Sequence, residues 1–315
     1  MQRLLTGLQP SGALHIGNYF GALKPFVDIY GNYQSMLMVA DYHALTTLKN
    51  PVELRNNIFG IVKDYIAGGV EPDRATIFQQ SYISAHTELT WIFNTLITTP
   101  FLELAHAYKD KEARGLETNV GLFDYPVLMA SDIVLYDTDI VPVGLDQRQH
   151  IEYTRDIAEK FNKTYGETFT LPKAQILEIV AIVPGIDGKK MSKSYGNTIP
   201  LFGTKDEIAK AVMSIVTDST GDIPTHVYNI HRLFKTEGEL APLYAANKRN
   251  YKASKEALIE DIEEVIRPMR EKRENITDDD VKRILKKGSE GAREEASLKM
   301  HEVHRKIGVD IGMYD

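Results

Sequence analysis

Apolar residues gather in short runs through the first half of the chain and spread to helical spacing in the second. Leu4, Leu5 and Leu8 form a first run, closed by Pro10 and Gly12, with a helical pattern starting near Asn18 and Tyr19. Residues 36–40 are continuously apolar and stop at Asp41 and His43, as a strand covered on both faces does. Residues 75–78 make a similar run that ends at Gln79, Gln80 and Ser81, and residues 179–183 another that ends at Pro184 and Gly185. Behind Pro51, the residues Leu54, Ile58, Ile61, Val62, Tyr65 and Ile66 predict a helix over 51–68. A second helix is predicted over 88–96. A third, over 125–140, carries one acid, Asp132, among Leu128, Met129, Ile133 and Tyr136. Residues 139–144 read as a strand ending in a turn, followed by a helix through His150, Tyr153 and Ile157.

Strands alternating with helices predict an α/β fold with a parallel sheet and right-handed crossovers. From Lys205 onward the pattern is helical almost throughout, with turn signals at Gly221–Asp222, Gly238 and Gly288. The expected division is a catalytic domain over 1–187, a junction loop over 188–204, a helical domain over 205–288 and a last helix within 289–315. Ala292, Ala296, Met300, Val303 and Ile307 share one face of that helix, which is expected to pack back on the first domain.

Composition narrows the functional classes. The 315 residues include no cysteine, which excludes disulfides, thiolate metal sites and cysteine nucleophiles. No apolar run approaches a membrane span, and the N-terminus breaks into a Pro/Gly turn before a signal peptide could complete itself, so a soluble, cytoplasmic protein is expected. A net charge of −7 argues against non-specific coating of nucleic acid but leaves room for a specific RNA contact.

Candidate chemistry lies in two stretches. Gln9-Pro10-Ser11-Gly12-Ala13-Leu14-His15-Ile16-Gly17-Asn18 places a turn and a helix N-terminus after a strand, where free backbone N–H groups and the helix dipole favour a phosphate. Turns of this kind also occur without a ligand in any α/β protein. Lys190-Met191-Ser192-Lys193-Ser194 sets two flexible ammonium groups three residues apart on a loop flanked by glycines; read alone, it is a solvated basic loop. Met191 suits an anchor in an apolar slot. His43, Gln80, residues 144–147 and Val183 fall at predicted strand ends, where open α/β sheets bind ligands.

Together and in this order, the two stretches resemble the HIGH and KMSKS signatures of class I aminoacyl-tRNA synthetases. Lys190 to Ser194 match in full; Asn18 replaces the last histidine of the first signature. Asp41-Tyr42-His43-Ala44, Met129-Ala130-Ser131-Asp132-Ile133, Val141-Pro142-Val143-Gly144 and Asp146-Gln147-Arg148-Gln149-His150 narrow the resemblance to the bacterial tryptophanyl-tRNA synthetase family, over nearly the whole chain. Leu5 stands where some members carry an aromatic ring against the substrate.

The resemblance implies a Rossmann-like nucleotide-binding domain followed by an all-helical, anticodon-binding domain. It implies ATP, accompanied by Mg²⁺, L-tryptophan and its tRNA as ligands, and a homodimer. His15, Asn18, Lys190 and Lys193 would be catalytic. Gln9, Pro10, Ser11, Gly17, Asn18, Gly144, Leu145, Asp146, Val183 and Lys190, Met191, Ser192, Lys193, Ser194 would surround ATP, Val183 through its backbone. Asp132 would read the indole N–H, Tyr125 and Gln147 would hold the ammonium, and His43, Met129, Val141 and Val143 would line the pocket. An ionised acid in such apolar company needs a donor, which indole supplies and a phenyl ring does not.

No residue is assigned to a metal. His301 and His304, at i, i+3, read as solvated histidines, and Asp278 to Asp280 as a helix N-terminus. Lys248, Arg249, Lys252, Arg267, Arg270, Lys272 and Arg273 are candidates for tRNA phosphates. Competing readings are a tyrosine-specific synthetase, a small-molecule nucleotidylyltransferase, and a non-catalytic paralogue that keeps only a binding site.

Overall fold

The computed structural model describes residues 1–103, 119–144, 148–176, 183–217 and 221–312. Five parallel strands form one sheet: β1 (Arg3–Leu8), β2 (Gln34–Val39), β3 (Ala75–Gln79), β4 (Ile140–Val143) and β5 (Lys173–Ile176), in the order β3-β2-β1-β4-β5. Register is set by pairs such as Arg3↔Gln34, Ser35↔Ala75, Leu4↔Ile140 and Ile140↔Lys173. This is the doubly wound, Rossmann-like order, with the chain reversing direction of travel at β1.

Neighbouring strand residues face opposite ways, and the apolar pairs follow that rule. Leu4, Leu37, Val39 and Ile77 enter one core; Leu5, Met36, Met38 and Phe78 enter the other. The first core continues without a break from the sheet into Ile208, Val212, Leu258 and Ile262 of the helical half. The second is closed by Ala292, Ala296, Met300 and Val303, so the last helix does pack back on the sheet domain.

The helices that frame the site are α1 (Ile16–Asn18), α2 (Lys24–Ile29), α3 (Asp41–Ala44), α4 (Pro51–Ala67), α5 (Ala85–Asn94), α6 (Thr99–Leu102), α7 (Val120–Val134) and α8 (Arg148–Tyr165). A π-helical turn, Tyr19–Leu23, joins α1 to α2. Beyond them lie α9 (Lys205–Met213), α10 (Thr225–His231), α11 (Glu237–Ala246), α12 (Tyr251–Glu274) and α13 (Asp278–Ile307). Asn50 caps α4 by accepting from the N–H groups of Val52 and Glu53, and Pro51 needs no partner at the first position. Among the described residues no helix is long and apolar enough to cross a membrane.

Three expectations change, and a fourth falls almost wholly outside the described residues. Helix α7 starts at Val120, not Tyr125, because the Asn119 side chain caps it at Leu122 N; it stops at Val134, and Asp137 turns the chain at φ 48°. The fifth strand is Lys173–Ile176, an outer strand with little apolar pattern; residues 179–182 of the expected run lie outside the described residues. Gly238 lies inside α11 and makes no turn. Gly288 lies mid-helix in α13: a Cβ there would collide with the carbonyl of Ile77, so glycine lets the helix lie directly on β3. The helix therefore runs unbroken through residue 288.

Candidate active site

A cavity of about 450 Å³ opens at the carboxyl end of the sheet, within the range of small-molecule sites. Leu5, Thr6 and Gly7 of β1, Met38 of β2, His43 of α3 and Val141 of β4 line it, with Gln9, Ala40, Thr46, Thr47 and His150. Leu122, Tyr125, Met129, Asp132 and Ile133 come from α7, spaced so that they share one face.

Asp132 is 1% exposed. Its Oδ2 lies 2.7 Å from His43 Nε2, and its Oδ1 accepts from Gln80 Nε2 at 2.8 Å. His86 Nδ1 stands 2.7 Å from the same Oδ1, at ion-pair distance but off the line of a good hydrogen bond. Burial pushes the carboxyl up; His43, bonded to it, and His86, close against it, outweigh burial and hold the group at about 2. The acid is ionised, as expected, but not starved of donors. A carboxylate accepts about four hydrogen bonds, and among the described residues protein groups stand at three of those positions. Tyr125 directs its hydroxyl to His150 Nε2 at 3.2 Å and stays protonated, pushed up to about 12 by burial and by Tyr153.

The two signatures meet beside this cavity's Gln9 strand end. His15 caps α1: its Nδ1 accepts from Asn18 N at 3.2 Å, and Asn18 Oδ1 accepts from His15 N at 3.0 Å. That bond assigns the imidazole proton to Nε2. Burial, and then the ammonium of Lys193, lower His15 to about 4, so it is a neutral donor. Lys193 Nζ donates to Ser11 O at 3.0 Å. Burial lowers Lys193, partly offset by the charge of Asp64. Met191 is 4% exposed and belongs to the first core, and its Sδ accepts from Gly17 N at 3.3 Å. A Cβ on Gly17 would sit 2.9 Å from His15 Nδ1 and 3.2 Å from Met191 Cβ, so glycine here admits the loop as well as any ligand.

These contacts correct the expectation of free amides at the first helical turn. Ile16 N donates to Ile199 O, Gly17 N to the thioether and Asn18 N to His15. A thioether is a weak acceptor, so Gly17 N–H is the one amide there that an anion could readily take. Val183 is also partly committed: its carbonyl accepts from Met191 N at 2.9 Å.

The cavity gathers His43, Tyr125, Met129, Asp132, Val141 and Gln9; Val143 is half-buried against the second core and is not among the residues lining it. The signature cluster gathers Ser11, His15, Gly17, Asn18, Met191 and Lys193. Pro10 is buried beside it, Ser192 and Ser194 share a 2.9 Å hydrogen bond, and Lys190 and Gly144 occupy the loop and the end of β4. Leu145, Asp146 and Gln147 lie outside the described residues. Sequence reasoning missed Asn197, 2% exposed, which accepts from Ser192 N and donates to Asp187 and to Lys190 O, tying the loop together. It also missed His86 as a partner of Asp132.

Several basic and histidine readings change as well. Arg273 pairs with buried Asp64 of α4, and Arg270 with Glu263, so neither is presented to an RNA phosphate. Lys248 and Arg249 engage Asp222, and Lys252 engages Glu256, in surface pairs that leave all three side chains exposed and still open to a phosphate. His304 is not solvated: it is 8% exposed and lies 2.6 Å from Glu88, joining α13 to α5. Thr277 and Asp280 form a capping box at the start of α13, as the acids there led one to expect.

The family model for tRNA synthetases class I (W and Y) matches residues 1–306. The chain is 47% identical to the tryptophan–tRNA ligase of Fusobacterium nucleatum over 325 aligned positions, covering 100% of both. It is 45% identical to that of Rhodopirellula baltica, covering 98% of this chain and 99% of the relative. In structure it is similar to the tryptophanyl-tRNA synthetase of Campylobacter jejuni complexed with ADP and tryptophan, at a TM-score of 0.92 and 42% identity, covering 98% of this chain and 100% of that one.

Proposed function

We infer, from the premise that the chain belongs to the class I tRNA synthetases for tryptophan and tyrosine, that it ligates tryptophan to its tRNA. It binds ATP and tryptophan, joins them as tryptophanyl-adenylate with release of pyrophosphate, and transfers the amino acid to the terminal ribose of the tRNA. The observation that carries the choice of tryptophan is Asp132: an ionised, buried acid on the wall of a 450 Å³ cavity, with one acceptor position that no described residue takes.

The first step needs no protein nucleophile, because the tryptophan carboxylate is already an anion. It attacks the α-phosphorus in line, and the bond to the bridging oxygen of pyrophosphate breaks. Positioning and charge stabilisation are the protein's tasks. His15 donates its Nε2–H to the transferring phosphate, and Asn18 offers the amide Nδ2 that its cap leaves unused. Lys190 and Lys193 neutralise the departing pyrophosphate. Gln9, Pro10, Ser11, Gly17 and Gly144 flank ATP with Leu145 and Asp146; Gln147 and Tyr125 hold the ammonium. In the second step a ribose hydroxyl attacks the adenylate carbonyl and AMP leaves.

Among the described residues no group of three or more His, Asp or Glu could hold a metal ion. The chemistry available fits Mg²⁺ bound by phosphate oxygens and water, arriving with ATP and lending it positive charge. The helices from Lys205 to Glu274 are assigned to the anticodon arm, with the exposed Arg267 and Lys272 among the cations offered to phosphates. The working unit is a homodimer in the cytoplasm.

The test is amino-acid-dependent ATP–pyrophosphate exchange. Exchange with tryptophan alone is expected. Exchange with tyrosine instead, or with no amino acid at saturating Mg²⁺–ATP, would overturn the assignment.

A further inference from the structure

Behind Asp132, outside the cavity lining, stand Gln80 and His86, both at 0% exposure. Gln80 Nε2 donates to Asp132 Oδ1 at 2.8 Å, while its Oε1 accepts the backbone N–H of Tyr42 at 3.1 Å. These two bonds fix the amide in one orientation, since a flip would set oxygen against carboxylate and NH₂ against N–H. His86 Nδ1 lies 2.7 Å from the same Oδ1, and its Nε2 is 2.8 Å from the hydroxyl of Tyr136. The imidazole also lies nearly parallel to the Phe78 ring, at 18° and 6.3 Å between centroids, so it has little freedom to turn.

The two oxygens of Asp132 are therefore not equivalent. Each offers about two acceptor positions. On Oδ1, Gln80 holds one by a hydrogen bond and the His86 ring blocks the other at ion-pair distance, both from behind the cavity wall. On Oδ2 one position faces His43 Nε2 at 2.7 Å, and His43 itself lines the cavity. Among the described residues the position left over is on Oδ2, beside His43, the one of the three partners that lines the cavity.

We propose that Gln80 and His86 are specificity-determining positioning residues: by occupying Oδ1 they leave Oδ2 as the one acceptor of Asp132 open to the cavity, which selects a ring N–H donor. The inference rests on the reading of Asp132 as the group that recognises tryptophan. Without the Gln80 donor, the carboxylate can turn, Oδ1 opens, and an aromatic ring lacking an N–H loses less by comparison.

The test compares tryptophan with the analogue in which sulfur replaces the indole N–H, as kcat/KM in pyrophosphate exchange. The wild-type enzyme is expected to prefer tryptophan by about a hundredfold, the scale of an unmatched buried charge. In Q80M and H86L that ratio falls about tenfold or more, through loss on tryptophan alone, with the KM for ATP unchanged; H86N, which keeps a donor near the Nδ1 position, retains it. Equal losses on both substrates, or an unchanged ratio, would overturn the proposal. Q80E guards against variants that do not fold, because it preserves the acceptor for Tyr42 N–H. Its ratio is expected to be low at pH 8 and to recover as the introduced carboxyl takes up a proton and can donate; a ratio matching the wild type at every pH would overturn the proposal. If the wild-type enzyme itself shows no preference, the Asp132 reading fails and the proposal with it. A wild-type preference that survives in both Q80M and H86L overturns the proposal alone.

Discussion

Lys193 donates to the backbone carbonyl of Ser11 at 3.0 Å, so two motifs 182 residues apart close on one another. The bond is directional, whereas the charge reaches further: the ammonium also acts on His15 and is acted on by Asp64. A cation held there stands ready for negative charge developing on a leaving group, at a place already shaped by the first motif.

Lys193→Ala is expected to slow adenylate formation by about 10²–10³-fold. Tryptophan affinity should change little, because Lys193 does not line the cavity around Asp132. Pre-steady-state adenylate formation beside equilibrium tryptophan binding separates the two. Weakened tryptophan binding with an unaltered chemical step would contradict the role.

The pH dependence of His15 follows from its lowered value of about 4 against an ordinary 6.5. Between those values the unfolded chain binds a proton that the folded chain refuses, so stability falls as the pH drops through 6.5 towards 4 and levels off below. Urea unfolding at pH 5 and 7.5 should show a wider gap for the wild type than for His15→Gln, which removes the titrating ring. Between pH 6 and 8 His15 stays neutral, so its Nε2–H donor is unaffected across that range. An imidazole resonance of His15 titrating near 6.5 would refute the assignment.

Two glycines on one helix make a paired test of packing. Gly288→Ala forces a methyl group against the Ile77 carbonyl of β3, where backbone has to give way. A loss of about 3 kcal/mol is expected, the upper range for overpacking. Gly291→Ala on the same helix meets nothing within 4 Å and should gain up to about 1 kcal/mol through helix propensity. Chemical denaturation of the two variants decides it, and similar values for both would mean that α13 does not press on β3.

Much of this arrangement was legible because it is written in local pattern. The apolar runs that became β1, β2 and β3, the helix behind Pro51 and the acid at Asp132 each announce themselves within a few residues. Lys173–Ile176 did not, since an outer strand needs little apolar content and pairs through its backbone. Gly288 read as a turn because the reason for a mid-helix glycine lies across the interface, in a strand over two hundred positions away. Partner sets were equally hidden. Gln80 and His86 of one segment, His43 of another and Asp132 of a third meet only once the sheet is assembled, and no spacing within any one of them says so.

The same limit applied to the basic residues of α12, and it leads to a contrast that can be measured. Arg273 pairs with Asp64, which also accepts the backbone N–H of Leu14 in the first signature segment. Arg273→Ala would leave a buried carboxylate without its cation, at a cost of about 3–5 kcal/mol. Burial already raises the Asp64 carboxyl, with Arg273 the main restraint on it. Without that restraint it rises further, so the folded variant binds a proton more readily than the unfolded chain, and the loss should be smaller at pH 5 than at pH 7.5. Arg267→Ala and Lys272→Ala should do the opposite: leave stability nearly unchanged, weaken tRNA binding, and each lower the salt dependence of log K by about 1. A changed salt slope in Arg273→Ala, with stability intact, would return that residue to the RNA-binding surface.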